Sequence, residues 1–454
     1  SVQGRTVVIN GGTLNIEAPE RYNPWAKQLL VDIGVDLDRY VASNRSAAGI
    51  YAAHGLRSGY FFDREHFGRD RLVLSPEGAG RREGFSEDFV RGMPISAQAK
   101  QDLLRLVDPG QPDYMPGLGS AEKKARLARM SFASYLRDVA KVDEQAAWFF
   151  SSFGRGVFGV GSDATPALFA WQMGVPGFSG LGLEPAMDGL LANLPGVQHG
   201  RQKEGLDAIH FPDGNATIAR LLVGRLVPGA VPASSQEGVG TARVDYAALD
   251  RAANDVRIRL NSTVLNVRHD GDVGTASEVV VTYRNGDALR SVRGRACIMA
   301  CWNMVIPHLV PEMSAPQKEA LAHNVKAPIV YTSVFLRNWR SFAKLGLHRA
   351  SCPTMYHDVM ELTEAVDLGE LRHARGPDEP VAVHMTRMPG APGLPRKEQH
   401  RLGRAELLAT PFASFERSIR DQCARVLGPG GFDPARDIAG IAVNRWPHGY
   451  SYTY

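Results

Sequence analysis

A turn, a helix and a set of strands near the middle of the chain constrain its fold more than any other stretch. In HFPDGNATIARLLVGRLVP, residues 210–228, the Pro-Asp-Gly step predicts a tight turn and Asn215 a helix N-cap. Apolar residues then recur at helical spacing until a proline ends the run. Three strands are predicted next, over residues 256–267, 278–286 and 295–301, with a polar hairpin at 270–274. The pattern indicates a mixed α/β fold, and a core helix beside a plain meander also accounts for it.

Length and composition exclude several classes of protein. The chain has 454 residues, more than the ~100 to 200 typical of one domain, so two or three interwoven domains are expected. Hydrophobic residues make up 44% and charged residues 22%, which are ordinary globular values. The formal charge of +4 includes no long basic run and no basic stripe with interleaved aromatic residues. The sequence therefore predicts a folded chain with no nucleic-acid partner.

The cysteines and the apolar runs predict neither a metal site nor a membrane span. The four cysteines show no CxxC spacing and no zinc pattern. Cys297 and Cys301 lie four apart on a predicted strand, roughly 13 Å at the usual rise per residue, too far for a disulfide between them. No apolar run approaches the ~18 residues of a membrane helix, and no charged and apolar leader is recognised.

Four stretches, taken in order along the chain, carry a resemblance to a known family. They are HFPDGNATIARLLV, RIRLNSTVLNV, ACIMACWNMVIPHLVPEM and NRWPHGYSYTY. Together they resemble the bacterial spermidine dehydrogenases, a branch of the FAD-dependent amine oxidases, and the match runs over nearly the whole chain. The resemblance implies a two-domain α/β fold, in which a discontinuous Rossmann-like FAD-binding domain carries an inserted substrate domain.

The same resemblance implies the division of the chain into domains. The FAD-binding domain would take residues 1–50 and 206–310, a mainly helical substrate or cap region 51–205, the substrate domain 311–440, and the start of a C-terminal FAD-closing segment 441–454. No strand followed by GxGxxG and a helix is found, because GAGRREG at Gly78 lacks the strand and GPGG at Gly428 is a helix stop. Compared with the family, the chain is expected to begin after the phosphate-binding unit and to end before the closing segment.

A glycine pair near the start of the chain is the first expected cofactor contact. GRTVVINGGT, residues 4–13, predicts a short strand that ends in a turn, and glycine permits the close backbone approach that a flavin requires. Ile9 stands where many relatives carry Asp, so no side-chain contact is inferred there. The resemblance implies that the residues contacting FAD are Gly11, Gly12, Thr13, Val264, Trp302 and Trp446.

Lys326 and two tyrosines are the expected catalytic residues. Spacing alone predicts that Lys326, at the start of a β-rich run, is a solvated strand-end lysine. The resemblance instead implies a lysine hydrogen-bonded through water to the flavin N5. Tyr450 and Tyr452 alternate along a strand, which suits an ordinary half-buried sheet. In the family, the Gly-Tyr step after a Trp brings an aromatic ring to the flavin face, where it attracts a cation by ~0.5 to 2 kcal/mol.

Two further features have competing interpretations. Asp163 precedes a predicted helix, where its carboxylate would favour the positive end of the helix dipole, or it faces a protonated substrate amine. Aromatic residues cluster among glycines between Trp148 and Phe158, and we expect them to form core packing rather than a cofactor site.

The function implied by the resemblance is FAD-dependent oxidation of a spermidine-like polyamine, giving an imine that hydrolyses to an aldehyde and an amine. The family is also described as carrying protohaem, as periplasmic, and as passing electrons to an acceptor other than oxygen. None of the 13 histidines is assigned as a haem ligand. Two alternatives stay open: another flavin-dependent amine oxidase or desaturase, and a non-catalytic FAD-fold binding subunit.

Overall fold

The computed structural model describes residues 2–45, 47, 49–76, 85–184 and 208–450. Gly78 and Tyr452 lie outside the described residues, and only the backbone of Tyr450 is described. The described strands are β1 Asn15–Glu17, β2 Arg57–Phe62, β3 Arg71–Leu74, β4 Ala208–His210, β5 Ser262–His269, β6 Val279–Asn285, β7 Ala288–Gly294, β8 Ala327–Leu336, β9 Leu347–Ser351, β10 Val359–Leu362, β11 Val381–Arg387 and β12 Ile438–Tyr450. With the helices, they confirm the mixed α/β class.

Helices connect these strands and form a separate layer in the first half of the chain. The described α-helices are α1 Pro24–Asp32, α2 Leu37–Asn44, α3 Ile50–Ala53, α4 Arg64–Phe67, α5 Glu87–Gly92, α6 Ala97–Val107, α7 Ser120–Arg129, α8 Phe132–Ser134, α9 Glu144–Phe149, α10 Arg155–Phe158, α11 Ala167–Gln172, α12 Ala216–Leu226, α13 Gln236–Val239, α14 Ile306–Leu309, α15 Ala315–His323, α16 Arg340–Leu345, α17 Arg396–Ala409, α18 Phe412–Leu427 and α19 Pro434–Asp437. None of the helices among these described ranges is long and apolar enough to cross a membrane.

A seven-stranded sheet is the largest element and runs in the order β12-β8-β11-β10-β9-β2-β3. Its neighbours are antiparallel except for β2 and β9, which are parallel. A three-stranded meander, β5-β6-β7, and the pair β1-β4 form the two smaller sheets. Because non-consecutive strands lie side by side, the large sheet brings distant parts of the sequence together.

The two faces of the large sheet have opposite character. Since successive side chains point to opposite faces, Val334 on β8 and Val383 on β11 share one face, and they pack with Phe415 of α18 in a buried cluster. The other face carries polar side chains, because Ser333 lies opposite His384. We call this side the polar face. It includes residues on the neighbouring strands β12, β8, β11 and β10, which the pairing of the strands brings side by side: Asn444, Tyr331, Ser333, His384 and Glu361.

The aromatic residues of the helical layer pack as core, as expected. Phe149 and Phe150 are buried, and the Phe149 ring meets Phe85 edge to face at 5.5 Å. The rings of Tyr135 and Phe178 stack at 4.7 Å. These contacts belong to one hydrophobic cluster, which confirms the core interpretation for this region.

Two of the strand predictions are wrong. Residues 295–301 form no strand. Gly286 has a positive φ of 58° in a tight turn, so β7 pairs with β6 directly after it, and the third strand of the meander ends before residue 295. Ile298 in that segment is consequently 90% exposed. The segment 6–12 also forms no strand, and its backbone instead lies against side chains of the polar face. In contrast, the predicted helix after Asn215 forms as α12.

Candidate active site

The glycine pair meets the end of β12 at a single hydrogen bond. The indole Nε1 of Trp446 donates to the carbonyl oxygen of Gly11 across 2.6 Å. A Cβ atom on Gly12 would lie 3.2 Å from that same nitrogen, which is tighter than ordinary van der Waals contact. The close approach of backbone to indole therefore favours glycine at position 12.

The residue before the glycine pair is buried with an unused acceptor. Asn10 is 1% exposed, and its Oδ1 has no hydrogen-bond partner among the described residues. A Cβ atom on Gly11 would lie 3.5 Å from the side chain of Asn444, which stands opposite Tyr331 across β12 and β8. Residues 10–12 thus run along the polar face of the sheet.

Lys326 lies at the same end of the sheet. It immediately precedes β8, whose first residue, Ala327, pairs with Tyr450 of β12. Burial, Arg404 and the charge of Lys326 together lower the pKa of His448 to about 4, so His448 is neutral at pH 7. Half-buried Lys326 therefore lies near a neutral imidazole.

An aromatic pair completes this end of the sheet. The rings of Trp302 and His448 stack with centroids 3.4 Å apart and planes 19° apart. The guanidinium of Arg404 lies over the Trp302 ring, 5.5 Å from its centroid. Trp302 Nε1 and His448 Nδ1 are buried without a hydrogen-bond partner in the described part of the chain. Two buried polar atoms next to a cation are suited to a polar ligand.

The residues at this end fit the ring system of a flavin. A flavin ring has carbonyl oxygens and ring nitrogens that accept hydrogen bonds, and one N–H that donates. Trp302 Nε1 and Lys326 can donate, while Asn10 Oδ1 can accept. The sequence offers no GxGxxG for the pyrophosphate, so the fit concerns the ring system alone.

A cavity of about 920 Å³ opens beside the polar face. Its described lining residues are Leu14, Tyr40, Val41, Asn44, Arg45, Ala47, Gly49, Ile50, Tyr51, Ala52, Leu56, Ala208, His210, His348, Arg349, Glu361, Leu362, Thr363, Glu364, Ala365 and His384. A smaller cavity of about 60 Å³ reaches Ile9 and Asn10, and the two share His210, Thr363, Glu364 and His384 as walls. These four residues therefore line both the large cavity and the smaller one that reaches Asn10, the residue before Gly11.

Neutral histidines occupy this shared wall. The Nδ1 of His384 lies 3.0 Å from the hydroxyl of Tyr331, and His384 Nε2 has no partner within the described residues. Burial, with a contribution from His210, lowers the pKa of His384 to about 4. The pKa of His210 is also lowered to about 4 by burial, and its Nδ1 lies 2.9 Å from Asn15 Oδ1. Both imidazoles are uncharged at pH 7.

Two carboxylates of the cavity differ in their partners. Glu361 accepts a hydrogen bond from Arg349 at 2.5 Å, so its charge is balanced. Glu364 has only the neutral His210, at 3.6 Å, within ion-pair distance among the described residues. Its side chain borders the cavity and is 61% exposed. Loss of part of its hydration to the nearby protein raises the pKa of Glu364, and the negative charges of Glu361 and Glu17 raise it further.

The remaining predicted residues make contacts of other kinds. Thr13 contributes its carbonyl oxygen, which accepts from the backbone N–H of Asn215 at 3.1 Å. Val264 lies in the meander, opposite Tyr283. Asp163 accepts from the backbone N–H of Gly393 and from Gln399 Nε2, each at 2.8 Å, and it is not among the residues that line the large cavity.

Several residues of the site were missed by sequence reasoning. His384 stands in the otherwise apolar run VAVHM, and Glu361 in VMEL. A polar residue in a buried strand is a signal that could have identified both, because such a group requires a partner or a ligand. Glu364 follows β10 and carries no comparable signal.

Comparisons with known proteins give low similarities. No family model and no curated protein matches the chain. Among solved structures, a putrescine oxidase bound to putrescine shares 14% identity with a TM-score of 0.47, over 98% of this chain and 77% of that chain. Cyclohexylamine oxidase from Brevibacterium oxydans IH-35A shares 12% with a TM-score of 0.42, over 87% and 70% of the two chains. At these values the likeness carries no argument about the activity of this chain.

Proposed function

We propose that this protein oxidises an amine with FAD as the electron acceptor. The C–H bond next to a neutral amine nitrogen breaks, its electron pair leaves as hydride, and the nitrogen lone pair forms the C=N bond of an iminium ion, which loses its N–H proton to water to give the imine. Water then hydrolyses the imine to an aldehyde and an amine. When bound, FAD supplies the two-electron acceptor for this hydride.

The observation that carries the proposal is the position of Trp446. Its hydrogen bond to Gly11 fixes the glycine pair beside the end of β12, and Lys326 begins the neighbouring strand. A backbone that permits close approach, a tryptophan and a lysine thus adjoin the same end of the sheet. The family resemblance assigns the glycine pair, Trp446 and Lys326 to the surroundings of the flavin, and it assigns the aromatic wall beside the reacting amine to Tyr450.

The residues of the chain itself would position the substrate and hold protons. The indoles of Trp302 and Trp446 would exclude water from the reacting carbon, which favours hydride transfer over side reactions. The Lys326 ammonium would hold a water molecule by donating a hydrogen bond. Because His448 is neutral, it does not add a second positive charge that would repel a cationic amine.

We further propose a spermidine-like polyamine as the substrate and a separate electron acceptor. These finer assignments are supported by the sequence resemblance, as are protohaem and a periplasmic location. Among the described residues, no group of three or more His, Cys, Asp or Glu could hold a metal ion. No axial ligand is assigned, so haem takes no part in the steps above.

Replacing Lys326 by Met tests the proposal in protein purified with its flavin. Flavin reduction by spermidine, followed without oxygen by absorbance, should slow by about 10²-fold, the usual effect of removing one positioned hydrogen-bond donor. Lys344→Met, at an exposed lysine of α16, is the matched control and should be reduced like the parent.

Two outcomes would contradict parts of this proposal. A Lys326→Met protein reduced as fast as the parent would remove Lys326 from the mechanism. A parent whose flavin is reduced by no amine would contradict the oxidation itself, and would favour the non-catalytic binding subunit.

A further inference from the structure

We infer that the outer side of α17 and the start of α18 dock on the surface of an anionic lipid bilayer. The docking surface, which we call the α17–α18 ridge, consists of Leu402, Ala405, Leu408, Ala409 and Phe412. Bilayer docking goes beyond the proposed amine oxidation and does not depend on it, because vesicle binding is measured without any reduction of the flavin.

The α17–α18 ridge is apolar and exposed. Leu402, Leu408 and Phe412 are 48%, 64% and 52% exposed, and Ala405 and Ala409 are exposed beside them. Because residues three or four positions apart share one face of a helix, Leu402, Ala405 and Ala409 line up along α17. Phe412 begins α18 four residues after Leu408. Large apolar side chains that meet water at one corner of a protein mark a contact surface.

Arginines surround this apolar surface. Arg445 Nη1 lies 3.4 Å from the carbonyl oxygen of Thr410, at the C-terminal end of α17. Arg417 donates to the Ser414 hydroxyl across 3.1 Å, and the guanidinium of Arg404 lies over an indole ring, 5.5 Å from its centroid. None of these contacts is with a carboxylate, so they leave the three positive charges without compensation.

The acidic residues of the same segment do not cancel these charges. Residues 396–417 contain five basic and three acidic residues. Glu398 and Glu416 each form an ion pair with an arginine of their own helix, which leaves Glu406, an exposed residue. The rim of the α17–α18 ridge is therefore net positive. An apolar surface with a basic rim complements the acyl chains and the phosphate groups of an anionic bilayer.

A second exposed apolar site lacks this charge pattern. Trp25 and Leu29 lie one turn apart on α1 and are 86% and 47% exposed. The surrounding residues 20–39 include four acidic and three basic residues. An anionic surface would therefore prefer the α17–α18 ridge, and Trp25 provides a matched control.

A second copy of this chain complements the α17–α18 ridge less well than a bilayer does. A two-fold axis would place the same surface of both copies face to face. Two net positive rims, each with Arg417 and Arg445, would then meet, and like charges across an interface repel.

Cosedimentation with vesicles tests bilayer docking. The full chain is mixed at low ionic strength with vesicles of equal parts phosphatidylglycerol and phosphatidylcholine, or of phosphatidylcholine alone. The parent should bind the mixed vesicles at least about tenfold more tightly than the uncharged ones. Leu408→Glu should weaken binding to the mixed vesicles by about tenfold or more, because an anion replaces an apolar side chain. Trp25→Glu brings the same change of charge and should bind like the parent.

Two further variants separate the contribution of charge from that of the apolar surface. Arg445→Gln should weaken binding by about fivefold, the usual effect of one basic residue near an anionic membrane. Phe412→Ser should weaken it by about tenfold, because less apolar area is buried. Added salt should weaken the binding of the parent, since it screens the charges. Thermal unfolding verifies that each variant is folded.

Several results would overturn bilayer docking. A parent that does not bind the mixed vesicles, or binding that Leu408→Glu leaves unchanged, would do so, as would an equal loss in Trp25→Glu. A parent that binds no vesicles but forms a dimer, which Leu408→Glu dissociates, would assign the α17–α18 ridge to a second copy instead. None of these results bears on flavin reduction, so the proposed amine oxidation stands or falls separately.

Discussion

Trp446 donates its indole N–H to the carbonyl oxygen of Gly11 across 2.6 Å, joining residues 435 positions apart in the chain. The bond fixes an aromatic ring of the last described strand beside a backbone segment near the beginning. Lys326 adjoins the same end of the sheet through the pairing of β8 and β12. The candidate active site is consequently a product of sheet topology rather than of any local motif.

Gly12→Ala should reduce flavin content, while Gly11→Ala should not. The added Cβ would lie 3.2 Å from Trp446 Nε1 at position 12, but 3.5 Å from Asn444, an ordinary contact, at position 11. Because Trp446 is 47% exposed, it can shift, and we expect a stability change below about 1 kcal/mol with a displaced indole. The flavin-to-protein absorbance ratio measures the effect, and equal ratios in the two variants would contradict it.

Gly449→Ala should destabilise the end of β12. Its Cβ would lie 2.2 Å from Ile329 Cγ2 and 2.8 Å from Trp446 Cβ, so β8 and β12 must separate. We expect a loss of about 1 to 3 kcal/mol, as for other overpacked sites. Gly440→Ala on the same strand is the control, since its Cβ would meet Phe335 at 3.6 Å. Thermal unfolding that is the same for both variants would rule out this packing.

Acid should destabilise the protein through its buried histidines. Burial and the nearby His210 lower the pKa of His384 to about 4, against about 6.5 for the free side chain. The unfolded chain therefore binds a proton that the folded chain refuses, so stability falls as the pH drops from about 6.5 to about 4. For one such group the loss reaches roughly 3 kcal/mol.

The pH dependence of the melting temperature between pH 7 and pH 4 checks this assignment. His384→Gln removes one titrating group, so its melting temperature should fall less steeply than that of the parent over this range. Parallel curves for the parent and the variant would show that His384 does not contribute to the acid sensitivity.

Asp163→Ala should lower stability without selectively changing diamine binding. Removing the carboxylate leaves one N–H of Gln399, a side chain only 2% exposed, without its partner. An unsatisfied buried donor costs about 1 to 3 kcal/mol. Asp255→Ala, at an exposed position, should change stability little. If Asp163→Ala instead weakened putrescine binding but not butylamine binding, Asp163 would be the substrate ligand after all.

Local signals in the sequence predict some elements well. A good N-cap residue and apolar spacing predict α12, and the alternating run after Lys326 predicts β8. The third strand was predicted at residues 295–301, but the chain turns at Gly286 and forms this strand earlier, as β7. Because β7 already pairs with β6, the apolar run 295–301 does not take that place in the meander. Short apolar runs do not by themselves show which one finds a pairing partner.

The polar side of the site could be predicted only in part. The family resemblance predicts Gly11, Gly12, Lys326 and Trp446 as site residues, and the pairing of β8 with β12 brings Lys326 and Trp446 to one end of the sheet. The cavity depends on register between strands far apart in sequence, such as Glu361 opposite His384. Register is set by long-range packing, so no local pattern could have placed Glu364 beside His210.

Amine oxidation by this protein is tested most directly by its absorption spectrum, with the protein purified from its native open reading frame, before and after spermidine is added without oxygen. Flavin bands that bleach on addition are expected, and a Soret band that shifts in step would also establish haem. A colourless protein, or flavin bands that no amine bleaches, would contradict the assignment of amine oxidation to this chain.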